Sequence, residues 1–230
     1  MKIIVIDSGL GGKDFMKKLR GFECEFVKPF DSIVVPDDKI YVRNSIMKLL
    51  RSYSPNKVHS IIIACHSISS CILDILFENN FRINNIPIYE PIVPMCLYII
   101  QNRRLKNILV LSTPLTQRIR WHSRLLRANY RTIKYITMPS LAKELELGMN
   151  YNKSLDRLHK QKEFIEKCDC IVLGCTHYNI IKDVISREAR GVSEVSGVSG
   201  VSEVSGNKYN FKGVVLDSNE ILANFFVKEQ

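Results

Sequence analysis

A chain of 230 residues, 46% hydrophobic and 24% charged, has the composition of a soluble globular protein with a substantial core, in one large α/β domain or two small ones. No apolar run reaches the roughly 18 residues that span a bilayer, and the apolar stretch 3–6 meets Asp7 too soon for a signal peptide. The formal charge of +10 suits anionic ligands, but Lys17, Lys18, Arg20, Arg103, Arg104, Lys106, Arg118 and Arg120 are spread along the chain as solvated faces, which disfavours a nucleic-acid partner.

The elements follow in chain order. Residues 3–6 form a first buried strand, followed by Asp7-Ser8-Gly9 and Gly11-Gly12 at a strand-to-helix turn and a helix over 13–20. Helices are expected over 43–53, 69–79, 116–128 and 155–167, and apolar strands over 61–64, 108–111, 171–173 and 214–216. Short β-branched runs separated by stretches of helical length indicate buried parallel strands with helical crossovers, so the fold class is α/β. Residues 191–206 repeat a Val-Ser-Gly/Glu unit and are expected to form a low-complexity surface insertion.

Two strand ends carry nearly the same sequence: Ile61-Ile62-Ile63-Ala64-Cys65-His66-Ser67 and Ile171-Val172-Leu173-Gly174-Cys175-Thr176-His177. Each has a further apolar strand about 60 residues upstream, the mark of a duplicated α/β unit. Ligands bind beyond the carboxyl ends of parallel strands, which places both cysteines where chemistry is done. A free thiol is only about 3% thiolate at neutral pH and needs a neighbour's help. Asp7 can orient Cys65, and His177 can orient Cys175. A carboxylate at the tip of a buried strand itself needs a partner, for which a thiol or an ammonium group would serve.

The chain holds seven cysteines, an odd number without an export signal, which points to reduced thiols in the cytoplasm. Cys168-Asp169-Cys170 is spaced too tightly for a zinc pair, so no metal is expected, and Cys24, Cys71 and Cys96 read as core or incidental residues.

Asp7-Ser8-Gly9-Leu10-Gly11-Gly12, Ala64-Cys65-His66-Ser67, Ser112-Thr113-Pro114-Leu115-Thr116 and Leu173-Gly174-Cys175-Thr176-His177-Tyr178 resemble, in order and spacing, the glutamate racemase branch of the aspartate/glutamate racemase family. The resemblance implies two α/β domains related by pseudo-twofold symmetry, with the active site in the cleft. One domain would span 1–94, completed by 207–230, and the other 95–190. It also implies racemisation without pyridoxal phosphate, metal or other cofactor, yielding D-glutamate for peptidoglycan. Cys65 would act on D-glutamate and Cys175 on L-glutamate, with Asp7 and His177 assisting the thiols. Ser8, Ser67, Thr113, Thr116 and Thr176 would line the pocket, and Glu146 falls where the family has an acid near the second cysteine.

The chain departs from the family pattern twice. Cys-Asn-Thr is here Cys65-His66-Ser67, which makes His66 a donor to a substrate carboxylate, and Pro-Tyr-Gly is here Pro36-Asp37-Asp38. Two acids there would repel an acidic substrate unless turned outward or paired with Lys39 or Arg43. The expected partner is therefore glutamate or a related acidic amino acid, and no membrane. A racemase for another amino acid such as aspartate, or a weakly active relative, stays open as an alternative. So do a homodimer and, more remotely, a non-catalytic anion- or nucleic-acid-binding protein on the same fold.

Overall fold

The computed structural model describes residues 2–32, 34–129, 131–190 and 211–230. The expected insertion at 191–206 lies outside them. The first part of the chain runs β1 (Lys2–Ile6), α1 (Leu10–Met16), β2 (Cys24–Val27), α2 (Lys39–Arg51), β3 (Val58–Ile63), α3 (His66–Glu78), β4 (Arg82–Ile83) and β5 (Ile86–Tyr89). Helix α4 (Ile92–Gln101) leads to β6 (Asn107–Ser112), α5 (Pro114–Ile119), α6 (Trp121–Leu126), β7 (Thr132–Thr137), α7 (Leu141–Glu146), α8 (Asn152–His159), α9 (Lys162–Lys167), β8 (Cys170–Gly174), α10 (Lys182–Arg190), β9 (Val214–Leu216) and α11 (Ser218–Lys228).

Two sheets result, in the orders β2-β1-β3-β5-β4 and β7-β6-β8-β9, and every pairing is parallel except β4 with β5. The shared order of four strands, with each cysteine following the strand beside the central one, matches the duplication read from the sequence. Both sheets are covered on both faces, which is why their central strands are continuous apolar runs. In β1, Ile3 and Val5 face Phe15 of α1 and Leu222 and Phe226 of α11, while Ile4 and Ile6 face the large core. In β6 and β8, Leu109, Leu111, Ile171 and Leu173 face one core, and Ile108, Val110 and Val172 face the core they share with the first sheet. Each fully buried Ile or Leu contributes about 1.5–3 kcal/mol, so the shared core ties the two sheets together.

Three expectations need correction. The helix over 116–128 is two helices, because Arg120 takes a left-handed conformation (φ 61°, ψ 37°) that ends α5 and starts α6. The helix over 155–167 is likewise divided into α8 and α9. The segment expected to complete the first domain serves both halves over its described part, 211–230: β9 pairs with β8 in the second sheet, and α11 packs over the first sheet and against α4. Among the described residues, no helix is long and apolar enough to cross a membrane.

Candidate active site

The residues just beyond the carboxyl ends of β1, β3, β6 and β8, namely Asp7, Cys65, Thr113 and Cys175, come together. A cavity of about 190 Å3 is lined by Ser8, Asp37, Cys65 and Ser67 from the first half and by Thr113, Cys175 and His177 from the second, with Val34, Val35, Pro114, Leu115, Pro139 and Ala142 as its apolar walls.

Cys65 caps the 13-residue helix α3. Burial pushes its thiol well above the usual range, and the negative charges of Asp7 and Cys175 push it further, against backbone N–H groups of Ile68 and Ser67 that favour the thiolate. Cys65 is therefore a thiol at neutral pH. Cys175 ends β8, with its Sγ 4.0 Å from His177 Nδ1. His177 Nε2 donates to Glu146 Oε2 at 2.7 Å. Burial would lower the His177 pKa, but the interactions with Cys175, the charge of Asp7 and the bond to Glu146 outweigh it and push it up to about 9. His177 is a cation at neutral pH, held beside one of the two sulfurs.

Asp7 finds partners other than a thiol or an ammonium. Its Oδ1 accepts from the Gly9 and Gly12 N–H groups at 3.0 and 3.2 Å, and its Oδ2 accepts from Thr176 Oγ1 at 3.0 Å, across to the second half. Burial raises its carboxyl above the usual range, against the pull of His177 and these donors. Glu146 joins the halves in the same way, since its Oε2 also accepts from Leu10 N–H at 2.7 Å. Two glycines permit this approach. A Cβ on Gly9 would strike the Glu146 carboxylate, and one on Gly11 would lie 2.6 Å from Thr176 backbone and side-chain atoms.

Ser67, Thr113 and Thr116 form a hydroxyl triangle between the halves, with Oγ separations of 2.8, 3.3 and 3.1 Å. Thr116 and Thr176 support the lining without joining it. The loop departures resolve differently from expectation. Asp38 faces away, capping α2 through Ile40 and Tyr41 N–H, and Pro36 is not in the lining. Asp37 faces the cavity, yet its partner is neither Lys39 nor Arg43: Arg118 Nη1 and Nη2 donate to its two carboxylate oxygens at 3.0 and 2.8 Å. Arg43 is engaged with Asp74 instead.

His66 does not reach the substrate region. Its ring is fully buried, lies outside the lining, and stacks on His122 of α6 with centroids 5.7 Å apart and planes 14° apart. Neither ring has a hydrogen-bond partner among the described residues. Burial, with the charge of His122 second, lowers the His66 pKa well below the usual range, and burial alone takes His122 to about 4. The apolar walls Val34, Val35, Pro139 and Ala142 were not anticipated, because valine, proline and alanine carry no chemical signature in a sequence. Arg118, which reads in the sequence as one of the solvated cations, lies two residues past Thr116, where a motif already singled out ends.

The other buried cysteines are far from ionising: burial pushes Cys71, Cys168 and Cys170 up to about 12. Cys168 Sγ donates to Ile165 O at 3.2 Å. Among the described residues no group of three or more His, Cys, Asp or Glu is placed to hold a metal ion.

No protein-family model matches the chain. Glutamate racemase of Aquifex pyrophilus is 26% identical over 233 residues, spanning 98% of this chain and 88% of that protein. The crystal structure of glutamate racemase from Campylobacter jejuni superposes with a TM-score of 0.76 at 23% identity, covering 100% of this chain and 86% of that one. Aspartate racemase of Picrophilus torridus superposes with a TM-score of 0.60 at 17% identity, covering 100% and 94%. With matched thiols at the ends of duplicated strands, the chain is similar along nearly its whole length to proteins of the aspartate/glutamate racemase family and shares their fold.

Proposed function

We propose that the protein racemises an acidic amino acid, glutamate first, by proton transfer between two cysteines. The observation that carries this reading is that Cys65 and Cys175 leave equivalent strands of the two halves and face one cavity. Inverting a stereocentre requires a base on one face of the α-carbon and an acid on the other, and two like residues from duplicated halves supply both with little bias between directions. In one direction Cys175 removes the α-proton while the Cys65 thiol delivers its own, and in the other the roles exchange. His177 stands where it can take or return the Cys175 proton, with Glu146 and Asp7 holding its charge. Ser8, Ser67 and Thr113 offer hydroxyls to substrate oxygens. The cavity of about 190 Å3 is smaller than the roughly 300–1,000 Å3 typical of drug-sized ligands, which suits a small metabolite.

Glutamate is favoured over aspartate because the curated relative quoted above is a glutamate racemase and matches nearly the whole chain. The test is circular dichroism on each enantiomer of glutamate and aspartate. Decay of the glutamate signal from both sides to the same end point supports the reading. Cys65→Ser and Cys175→Ser should each abolish it, with no rescue by pyridoxal phosphate or zinc. Substantial turnover by either variant would remove the two-thiol mechanism.

A further inference from the structure

The cavity is short of positive charge for an acidic amino acid. Among the described residues its lining holds no lysine or arginine, and its cation, His177, is already bonded to Glu146. A substrate with two carboxylates and one ammonium carries net negative charge, and removing a carboxylate from water without a partner is costly. Asp37, also in the lining, adds a further negative charge.

A cation is bonded to Asp37 itself. Arg118 on α5 grips the carboxylate with both terminal nitrogens and also donates from Nη2 to the Asp37 carbonyl oxygen at 3.0 Å. Pro114 and Leu115, both in the cavity wall, precede it by four and three residues, so all three share one face of the helix. The Asp37 side chain therefore both lines the cavity and is held by an arginine fork supplied by the opposite half.

Resting on the racemase reading above, we infer that Arg118 is the residue that selects for the substrate's side-chain carboxylate, which takes the fork from Asp37. The exchange swaps one carboxylate for another, so no charge is created. Arg118 and Asp37 are 53% and 62% exposed, a setting in which an ion pair contributes little and Asp37 regains water when released. The planar fork discriminates by geometry, since a carboxylate can accept from both of its N–H groups whereas a side-chain amide offers one oxygen. This assignment also explains how an acid is tolerated at the mouth of a site for an acid: Asp37 keeps the guanidinium aligned and yields it.

The experiment uses the full chain and three variants, Arg118→Gln, Arg118→Lys and Asp37→Asn. Affinity for L-glutamate, L-aspartate and the neutral amide L-glutamine is measured by calorimetry, beside kcat and KM for α-proton exchange on the two acids. Arg118→Gln should weaken binding of the preferred acid at least ten-fold, through KM rather than kcat, while changing glutamine affinity less than two-fold. Arg118→Lys should recover part of the loss, since it restores charge without the fork. Asp37→Asn, which leaves the arginine in place, should tighten binding of the acid several-fold. Equal losses for acid and amide in Arg118→Gln, or unchanged acid binding in Asp37→Asn, would overturn the inference while the parent's exchange activity stands. Absence of exchange by the parent on both acids would overturn the racemase reading and this assignment with it.

Discussion

Replacing His122 with Phe isolates the energetic consequence of the buried histidine pair. The ring of His122 is fully buried, stacks on His66, and leaves both nitrogens without partners among the described residues. Phenylalanine keeps the ring and the stack and removes the two polar atoms, each of which costs about 1–3 kcal/mol when buried unpaired. At pH 7.5 the variant should therefore be at least as stable as the parent. The pH dependence follows from linkage. Burial lowers the folded-state pKa of His122 from 6.5 to about 4, so between those values the unfolded chain binds a proton that the folded one refuses. The stability this neutral histidine supports is present above pH 6.5 and is lost as pH falls toward 4. At about 1.4 kcal/mol per pH unit, the loss amounts to about 3 kcal/mol. Urea unfolding at pH 7.5 and 4.5 measures it. The drop in unfolding free energy between the two pH values should be about 2–3 kcal/mol smaller in His122→Phe than in the parent. His66 keeps its burial-driven acid sensitivity in both proteins, and loss of the His122 charge beside it can only reduce that sensitivity further in the variant, in the same direction. Identical pH dependences would show that His122 is not held neutral by burial, and the reasoning would fail.

Further expectations concern the contacts that join the halves. His177→Gln should remove stability with the opposite pH signature. The folded pKa of His177 is raised to about 9, so its contribution is complete below 6.5 and is lost as pH rises through 9; at about 1.4 kcal/mol per unit this is about 3 kcal/mol. The stability gap between parent and variant should shrink from pH 6 to pH 9.5 in urea melts, and a constant gap would contradict the assignment. Gly11→Ala should destabilise by about 1–3 kcal/mol, because its Cβ would meet Thr176 at 2.6 Å. It should also lower kcat, since Thr176 is tied to Asp7. A melting temperature equal to the parent's would show that the halves give way there.

What the sequence disclosed, and what it withheld, divides along physical lines. Strands β1, β3, β6 and β8 were legible because burial on both faces makes them unbroken apolar runs. β2 and β7 lie at sheet edges and are only partly buried, and β5 carries Pro87, so their pattern was weaker. The break at Arg120 was invisible because the left-handed turn is made by an arginine rather than a glycine. In the site, Cys65, Cys175, Asp7 and His177 were legible as candidates because thiols, an acid and an imidazole just past strand ends stand out, whereas Glu146, at the end of α7, was suggested by the family resemblance alone. The destinations of His66, Asp37 and Arg118 were not readable, since each depends on what the other half presents to it. His66 meets His122, and Asp37 meets Arg118, across an interface that no local pattern describes.

The central claim, proton exchange at one α-carbon by two opposed thiols, is tested most directly by incubating the protein with L-glutamate and with D-glutamate in deuterium oxide. Mass spectrometry and chiral separation then follow α-deuterium in substrate and product. The account predicts deuterium in the product enantiomer from the first turnovers in both directions, and none in the product with Cys65→Ser or Cys175→Ser. Product that forms without deuterium, or forms at the parent's rate when either thiol is missing, would contradict it.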